Sequence, residues 1–353
     1  MHHAGLPRVG AIDDHGAAAH GAAHPGLDHT GGKRGGHGGV DGVAAGGQDG
    51  RAGLGGLAML GGDDAVGAVQ YGLAGDLGAG KVIVHDGSPL GYRYNAAMSR
   101  RNQPSVLDQP SLSEADGIRY LHFGSEWIQG AMRIKNPAEL VLEYTSQMMA
   151  WLLFLEPPRE QSIGLLGLGA GSLARFCLKH TRSSLDVVEW NPQVTAVCQM
   201  FFKLPTPARL AVHHEDAAAW VADPLNAGRC PVLMVDLYDA KAEGPVRDSV
   251  GFYRDCRRVL GEVGVLVVNL FGRHESFGRN IDNLSKAFDD RVILLPEIDA
   301  GNQIVLAFSG PPLAVTPAEL LARAETVESQ YGLPARRWAR SLVRHAVDGT
   351  LHL

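Results

Sequence analysis

The stretch Ile163-Gly-Leu-Leu-Gly-Leu-Gly-Ala-Gly-Ser172 decides the fold of this chain. It is a short apolar run that breaks into closely spaced glycines and then enters a helical pattern extending to His180. A second apolar run, 185–189, ends in the acid Glu189, about twenty residues after the first glycine. Strand, glycine turn, helix, strand and terminal acid together form the first half of a nucleotide-binding βαβ unit.

The spacing of the glycines narrows the ligand class. Gly167, Gly169 and Gly171 form the pattern G-x-G-x-G, whereas a dinucleotide-binding loop has its third glycine one residue later. We interpret the shorter pattern as a nucleoside site without a pyrophosphate, of the S-adenosylmethionine type. The alternative is a tight turn that only packs a helix on a strand.

The composition changes abruptly at Met98. Residues 1–97 contain 27 of the 45 glycines and eight of the 15 histidines, but no glutamate, tryptophan or phenylalanine. Such a segment buries too little apolar surface to offset its ordering entropy, so we predict a disordered leader. A second interpretation is an over-extended start, with translation beginning at Met98. The histidines show no paired ligand spacing, so a metal site is the less favoured interpretation.

Charge and cysteine usage argue against several classes of protein. The formal net charge is −6, which does not favour nucleic-acid binding. The four cysteines are scattered without a C-x-x-C pair, as in the reduced core thiols of a cytoplasmic protein. No apolar run is long enough for a membrane span, and the first residues lack the order of a signal peptide. We therefore expect a cytoplasmic protein with no metal, nucleic-acid partner or membrane anchor.

Apolar strands alternate with helices through the middle of the chain. The predicted strands lie at 163–167, 185–189, 210–213, 232–236, 264–269, 291–295 and 303–308. Continuous Val/Leu strands separated by helices indicate a mostly parallel sheet buried on both faces, and the last two strands suit an antiparallel end. The predicted fold class is α/β, a Rossmann-like seven-stranded sheet of the S-adenosylmethionine-binding type.

Shorter elements precede this sheet. Residues 117–123 and 127–134 alternate in hydropathy and predict a β-hairpin. Asn136-Pro137 is expected to open a helix that ends at Pro157-Pro158, because proline is well tolerated in a first helical turn.

Helices are predicted after the sheet. Thr316, Pro317 and Glu319 have the spacing of a capping box, and a second, basic helix is expected over 334–345. The predicted domains are a leader at 1–97, a small β-hairpin domain at 98–136, a Rossmann-like catalytic domain at 137–312 and a helical tail at 313–353.

Acidic residues follow three of the predicted strands. Ligands of open α/β sheets lie beyond the carboxyl ends of the strands, which is where Glu189, Asp216, Asp236 and Asp239 stand. Glu189 would hold ribose hydroxyls or cap the next helix. Asp216 would meet an adenine amino group or cap the helix at Ala217. Asp236 would contact substrate or only bond loop amides.

The pair Asp236 and Asp239 has a chemistry of its own. Two carboxylates in one cleft favour a cationic partner, and their repulsion raises at least one pKa, which suits a general base. A sulfonium donor with an amine acceptor would use such a pair, one acid holding an ammonium and the other removing a proton. The alternative is a solvated acidic loop.

The chain from about 117 to 310 resembles spermidine synthase, the polyamine aminopropyltransferase family. The resemblance lies in the hairpin with Gln129, the segment 143–148, the glycine loop 167–172, Glu189, the pair Asp216-Ala217 and the segment 236–239. It implies that Gln129, Gly167, Gly169, Gly171, Glu189, Asp216, Ala217 and Asp236 bind the nucleoside donor. It implies catalytic roles for Asp239 as base, for Asp236, and for Tyr144, whose ring would face a cation or only pack.

Four positions depart from the family pattern. Ala170 stands where the family has an aspartate that holds the ammonium of decarboxylated S-adenosylmethionine, and Gln147 replaces a glutamate that holds the acceptor amine. Tyr144 is shifted by one residue, and Ala240 replaces a proline. Loss of the loop aspartate removes a charge-assisted contact of about 1.5–3 kcal/mol.

The resemblance implies transfer of an aminopropyl group from decarboxylated S-adenosylmethionine to putrescine or a related amine. Methylthioadenosine would be released, with the donor acting as a co-substrate and no cofactor permanently bound; the resemblance also implies a homodimer. Two alternatives stand beside this function: a methyltransferase that uses intact S-adenosylmethionine, and a non-catalytic adenosyl-binding protein.

Overall fold

The computed structural model describes residues 109–124, 127–238, 247–272, 274–298 and 301–353, together with three short strands before them. All of these lie in the compact unit Gly53–Leu353. The short strands are β1 (Val69–Tyr71), β2 (Lys81–Ile83) and β3 (Pro89–Gly91). Apart from these three strands, the residues for which disorder is predicted, 1–97, lie outside the described residues.

An antiparallel sheet precedes the central domain. It has the order β1–β4–β5–β6, with β4 at Pro110–Ala115, β5 at Ile118–Phe123 and β6 at Gly130–Arg133. The predicted hairpin is confirmed as the antiparallel pair β5–β6. Strand β4 was not predicted; Asp116 and Gly117, both at positive φ, make the tight turn that joins it to β5.

The predicted helix after Asn136 is wrong over its first half. Helix α1 covers only Glu143–Gln147 and continues as a 3₁₀ helix over Met148–Leu153. The Pro137 carbonyl accepts a hydrogen bond of 2.6 Å from the Arg175 guanidinium. A tertiary contact therefore holds this segment, which is helical only from Glu143.

The central sheet has seven strands in the order β12–β13–β11–β10–β7–β8–β9. Its strands are β7 (Ser162–Leu166), β8 (Ser184–Val188), β9 (Leu210–His213), β10 (Val232–Val235), β11 (Gly264–Phe271), β12 (Val292–Leu294) and β13 (Asn302–Ser309). Strands β7 to β11 pair in parallel, and β13 runs antiparallel to both β11 and β12. The predicted α/β class and its antiparallel end are confirmed.

Helices cover both faces of this sheet. They are α2 (Ser172–His180), α3 (Pro192–Phe201), α4 (Ala217–Ala222), α5 (Val250–Leu260) and α6 (Phe277–Phe288). Val232 and Met234 of β10 join one buried cluster, and Leu233 and Val235 join the other. Because alternate side chains of a strand point to opposite faces, this division shows two apolar layers. It explains why the strands have continuous rather than alternating apolar sequences.

The C-terminal segment follows the sheet. It consists of β14 (Ala314–Val315), α7 (Pro317–Tyr331), α8 (Ala335–Val343) and β15 (Leu351–His352), which pairs with β14. The predicted capping box is confirmed, since Thr316 and Glu319 bond each other's backbone amides. Over the described residues, no helix combines the length and apolar character that crossing a bilayer requires.

The antiparallel β13 changes which residues meet at the carboxyl edge of the parallel strands. Its first residue, Asn302, lies opposite Phe271, the last residue of β11. The edge is therefore formed by the ends of β7 to β11 and by the start of β13. It is also where Gly167 leaves β7 with φ of +95° and passes over the backbone carbonyl of Asp236 at the end of β10.

Gly167→Ala is expected to lower the free energy of unfolding by more than the ~1–2 kcal/mol that a left-handed alanine costs. An added Cβ would overlap the Asp236 carbonyl oxygen, so strand β10 must also move. Urea denaturation measures the loss. Gly117→Ala is the matched control, because Gly117 has φ of +73° but no atom within 4 Å of an added Cβ. Equal losses in the two variants would show that the close approach does not constrain the fold.

Candidate active site

A cleft of about 350 Å³ opens at the carboxyl edge of the central sheet. Several residues predicted from the sequence line it: Gln129, Tyr144, Gly167, Gly169, Glu189, Asp216, Ala217 and Asp236. The cleft is also lined by Tyr238, and by Trp190, Arg247, Asn269 and Asn302, which the sequence analysis did not assign to a site. This volume lies within the range of small-molecule sites, and polar groups converge on it from separate strands.

The glycine turn and Glu189 form one wall of the cleft. Gly167, Gly169 and Gly171 all have positive φ, and Gly171 is the N-cap residue of α2. Glu189 Oε2 accepts a hydrogen bond of 3.0 Å from the Leu168 amide. Backbone amides of this turn therefore lie close to the cleft, and the acid after β8 holds the turn in place.

Glu189 also supports the next helix. Its Oε1 accepts a 2.8 Å hydrogen bond from the amide of Asn191, the N-cap residue of α3. Burial raises the pKa of Glu189, and the two amide hydrogen bonds oppose that rise. Each carboxylate oxygen has further lone pairs, so this structural role leaves Glu189 able to accept hydroxyl hydrogen bonds from a ligand.

Asp216 and Ala217 lie at the start of α4. Asp216 Oδ1 caps the helix by accepting hydrogen bonds from the amides of Ala218 at 2.8 Å and Ala219 at 3.3 Å. Its Oδ2 forms an ion pair with Arg247. Burial alone would raise the pKa of Asp216, but Arg247 and the capping amides together hold it below its ordinary value. The predicted capping role is present, and the same carboxylate faces the cleft.

Asp236 follows β10 and is a partly buried acid of the cleft. Its Oδ2 accepts a hydrogen bond of 3.2 Å from the Tyr144 hydroxyl, and its Oδ1 accepts one of 2.9 Å from Asn269 Nδ2. Burial raises the pKa of Asp236, whereas these two hydrogen bonds lower it. Tyr144 lies 92 residues away in sequence, so α1 carries this hydroxyl to the strand tip by tertiary packing alone.

Two asparagines extend the polar surface beyond Asp236. Asn269 is in β11, and its Oδ1 accepts a 3.0 Å hydrogen bond from Asn302 Nδ2. Both side chains are buried, with exposed fractions of 1% and 4%. The Tyr238 hydroxyl donates a 3.2 Å hydrogen bond to the backbone carbonyl of Asn269. The rule that selected the acids, polar residues at the carboxyl ends of strands, could have found Asn269, but Asn302 required knowledge that β13 is antiparallel.

At position 170, where the family pattern has an aspartate, this chain has a closely packed alanine. Ala170 is 2% exposed and lies against Gly130, where an added Cβ would be 2.6 Å from the Ala170 Cβ. Beneath the loop, the buried Arg175 guanidinium donates to the Ala170 carbonyl. Burial lowers the pKa of Arg175 to about 10. No carboxylate pairs with Arg175 among the described residues, so the loop rests on an unneutralised cation.

Three further positions from the sequence analysis have different outcomes. Asp239, the predicted base, lies outside the described residues, as does Ala240. Gln147 is buried and donates a 3.1 Å hydrogen bond to the Pro296 carbonyl. Across the described ranges, no group of three or more His, Cys, Asp or Glu side chains has an arrangement suited to a metal ion.

Comparisons with known proteins identify relatives over most of the central region. The chain is 35% identical over 238 residues to the polyamine aminopropyltransferase of Chromobacterium violaceum, which covers 66% of this chain and 90% of the relative. It is 34% identical over 249 residues to the polyamine aminopropyltransferase of Neisseria meningitidis, covering 69% and 93%. No protein-family model matches the chain.

More distant similarities concern the fold. A probable spermidine synthase from Corynebacterium glutamicum superposes with a TM-score of 0.52 at 19% identity, over 65% of this chain and 90% of that structure. The human eEF1A lysine and N-terminal methyltransferase is 26% identical over 215 residues, which is 56% of this chain and 31% of that protein. The extent and identity of the bacterial matches show that the chain belongs to the polyamine aminopropyltransferase family.

Proposed function

We propose that the protein transfers an aminopropyl group from decarboxylated S-adenosylmethionine to putrescine or a related amine and releases methylthioadenosine. Family membership supports this activity. The observation that carries it in the structure is the partly buried Asp236 carboxylate, held by Tyr144 and Asn269 on the cleft that the glycine turn also lines. A buried carboxylate at a strand tip favours a cationic partner, and both proposed substrates are cations.

The donor is proposed to lie across the edge of the sheet from β9 to β10. Its adenine would sit by Asp216 and Ala217, and its ribose hydroxyls would bond Glu189, with Gln129 covering the nucleoside. The glycine turn would provide backbone amides beside the ribose. This placement brings the sulfonium and its reactive carbon next to Asp236.

The proposed reaction is a direct displacement. The uncharged nitrogen of the acceptor attacks the methylene carbon bonded to the sulfonium; the new C–N bond forms as the C–S bond breaks. The bonding electrons go to sulfur, which leaves as the neutral thioether of methylthioadenosine. Asp239 is proposed to take the proton that the attacking ammonium must lose, and Asp236 to hold the amine in line. Positioning supplies much of the rate, because a sulfonium is already a good leaving group.

A second candidate is methyl transfer from intact S-adenosylmethionine. The observation that favours it is the glycine loop, where Ala170 provides no carboxylate and the buried Arg175 lies beneath without an acidic partner in the described part of the chain. Without the aspartate of the family pattern, the loop has no negative charge to offset the repulsion between the cation beneath it and a donor ammonium. The same loop tolerates the carboxylate of the intact donor.

Product analysis separates the two candidates. The protein is incubated with each donor and a panel of amines, and the nucleoside product is identified. We expect methylthioadenosine with decarboxylated S-adenosylmethionine and a diamine. S-adenosylhomocysteine from the intact donor, without methylthioadenosine, would replace the proposal by methyl transfer. Binding of methylthioadenosine without any turnover would indicate a non-catalytic adenosyl-binding protein.

We also propose a cytoplasmic location and a homodimer, as the family resemblance implies. Sedimentation equilibrium over a range of protein concentrations measures the mass in solution, and fractionation of the source cells measures the location. A monomer at all concentrations would refute the dimer.

Asp239→Asn is expected to reduce turnover by a factor on the order of 10², because the amide cannot accept the proton of the attacking amine. Donor affinity should change by no more than a few-fold, since the donor is held by other residues. Steady-state kinetics and calorimetric titration measure the two effects. Asp282→Asn, at an exposed position on α6, is the control for loss of one negative charge. Unchanged turnover in Asp239→Asn would remove this residue from the mechanism.

Asp236→Asn is expected to lower turnover while raising the free energy of unfolding at neutral pH. Burial places the folded-state pKa of Asp236 above its unfolded value, so ionisation destabilises the fold as pH rises through that range. An amide at this position can still accept from Asn269 and donate to the Tyr144 hydroxyl. The stability gain should shrink as pH falls towards about 4, near the ordinary carboxyl pKa.

Urea denaturation of Asp236→Asn and wild type at several pH values measures this dependence. Asp282→Asn again controls for the change in net charge. A variant that is less stable than wild type at neutral pH, or a difference that grows on acidification, would contradict the buried ionised carboxylate.

A further inference from the structure

A line of hydrogen bonds runs along the edge of the sheet from Asp236 to β13. Asn269 Nδ2 donates to Asp236 Oδ1 at 2.9 Å, and Asn302 Nδ2 donates to Asn269 Oδ1 at 3.0 Å. The amide of Asn302 also interacts with the Tyr238 hydroxyl, which opposes the rise in the pKa of Tyr238 caused by burial. Three adjacent strands, β10, β11 and β13, thus contribute one side chain each to the line.

The carboxylate at one end fixes the direction of both amides. An ionised carboxylate only accepts hydrogen bonds, so Asn269 must turn its NH₂ group towards Asp236. Its carbonyl oxygen then faces Asn302, which must in turn present its own NH₂ group. The side-chain oxygen of Asn302 is therefore left at the far end, and the aligned amide dipoles increase its negative character.

The side-chain oxygen of Asn302 lacks the hydrogen bond that a buried polar atom normally makes. Asn302 is 4% exposed and lines the cleft, and within the described ranges its Oδ1 has no hydrogen-bond partner. A buried amide oxygen without a partner destabilises the structure, because its hydration is lost and not replaced. The cost is removed when a ligand in the cleft brings an N–H donor to it.

The position of Asn302 identifies which substrate it would meet. The proposed nucleoside residues Glu189 and Asp216 follow β8 and β9, on one side of Asp236, whereas Asn302 starts β13 on the other side. Two strand spacings separate β10 from β13, or roughly 10 Å between backbones. An acceptor whose reactive nitrogen is held near Asp236 therefore extends its other end towards Asn302.

We propose that Asn302 Oδ1 binds the second ammonium group of a diamine acceptor, which makes Asn302 a specificity-determining residue of this site. The inference rests on the proposed function for the identity of the acceptor. It assigns diamine selectivity to an amide oxygen polarised by Asp236 through Asn269. A monoamine of equal length would bind near Asp236 and leave the Asn302 oxygen unpaired.

The test compares 1,4-diaminobutane with 1-aminobutane, which has the same four-carbon chain and lacks the second ammonium. Both are titrated calorimetrically into the full chain saturated with methylthioadenosine, and kcat/KM is measured for both as acceptors. In Asn302→Leu, diamine affinity should fall about tenfold or more, as expected for a lost bond to a charged group, while monoamine affinity stays within about threefold. Asn302→Ala repeats the test without added bulk.

Asn280→Leu is the matched control, because Asn280 is a buried asparagine of α6 whose side chain bonds Tyr253 at 2.7 Å. It should lower stability and leave the ratio of diamine to monoamine affinity unchanged. The inference is overturned if both Asn302 variants keep the wild-type ratio, or if they lose diamine and monoamine binding equally. A wild-type protein that binds both amines but yields no methylthioadenosine would refute the proposed function, while the binding ratio still decides the role of Asn302.

Discussion

The buried carboxylate of Asp236 is the interaction on which the arrangement of the site depends. It lies at the end of β10 and is held by Tyr144 from α1 and by Asn269 from β11. Removing a carboxylate from water is costly unless hydrogen bonds replace the lost hydration. The two donors provide that replacement, and in doing so they tie the segment before the sheet to two of its central strands. The same bonds leave a negative charge facing a cleft whose proposed ligands are cations.

The other acids of the cleft show that a structural role and a binding role do not exclude each other. Glu189 bonds amides of the glycine turn and of the α3 N-cap residue, and Asp216 caps α4. Both carboxylates nevertheless line the cleft. A carboxylate has more lone pairs than these amides use, so its backbone bonds fix its orientation and the remaining lone pairs are available to a ligand. Preorganisation of this kind lowers the entropic cost of binding.

The departures from the family pattern are concentrated around the glycine loop. At position 170 the structure has a small apolar side chain packed on Gly130, and the buried Arg175 supports the loop from below. The charge that would balance a donor ammonium must therefore come from elsewhere in the cleft, where Asp236 lies at the end of β10. The substitution at position 170 therefore bears on the choice of donor rather than on the fold or the family.

The sequence by itself determined the central sheet, its helices and the acids at its edge. Strand and helix patterns are local, because alternation, apolar runs, glycines and caps act over a few residues. For this reason α2 ends at His180 and α4 begins at Ala217, as predicted. Tertiary structure decided the rest. Arg175 bonds the Pro137 carbonyl in a segment that is helical only from Glu143, and the antiparallel β13 placed Asn302 beside Asn269. Such contacts join residues far apart in the chain, and no local pattern encodes which distant partner will satisfy a buried polar group.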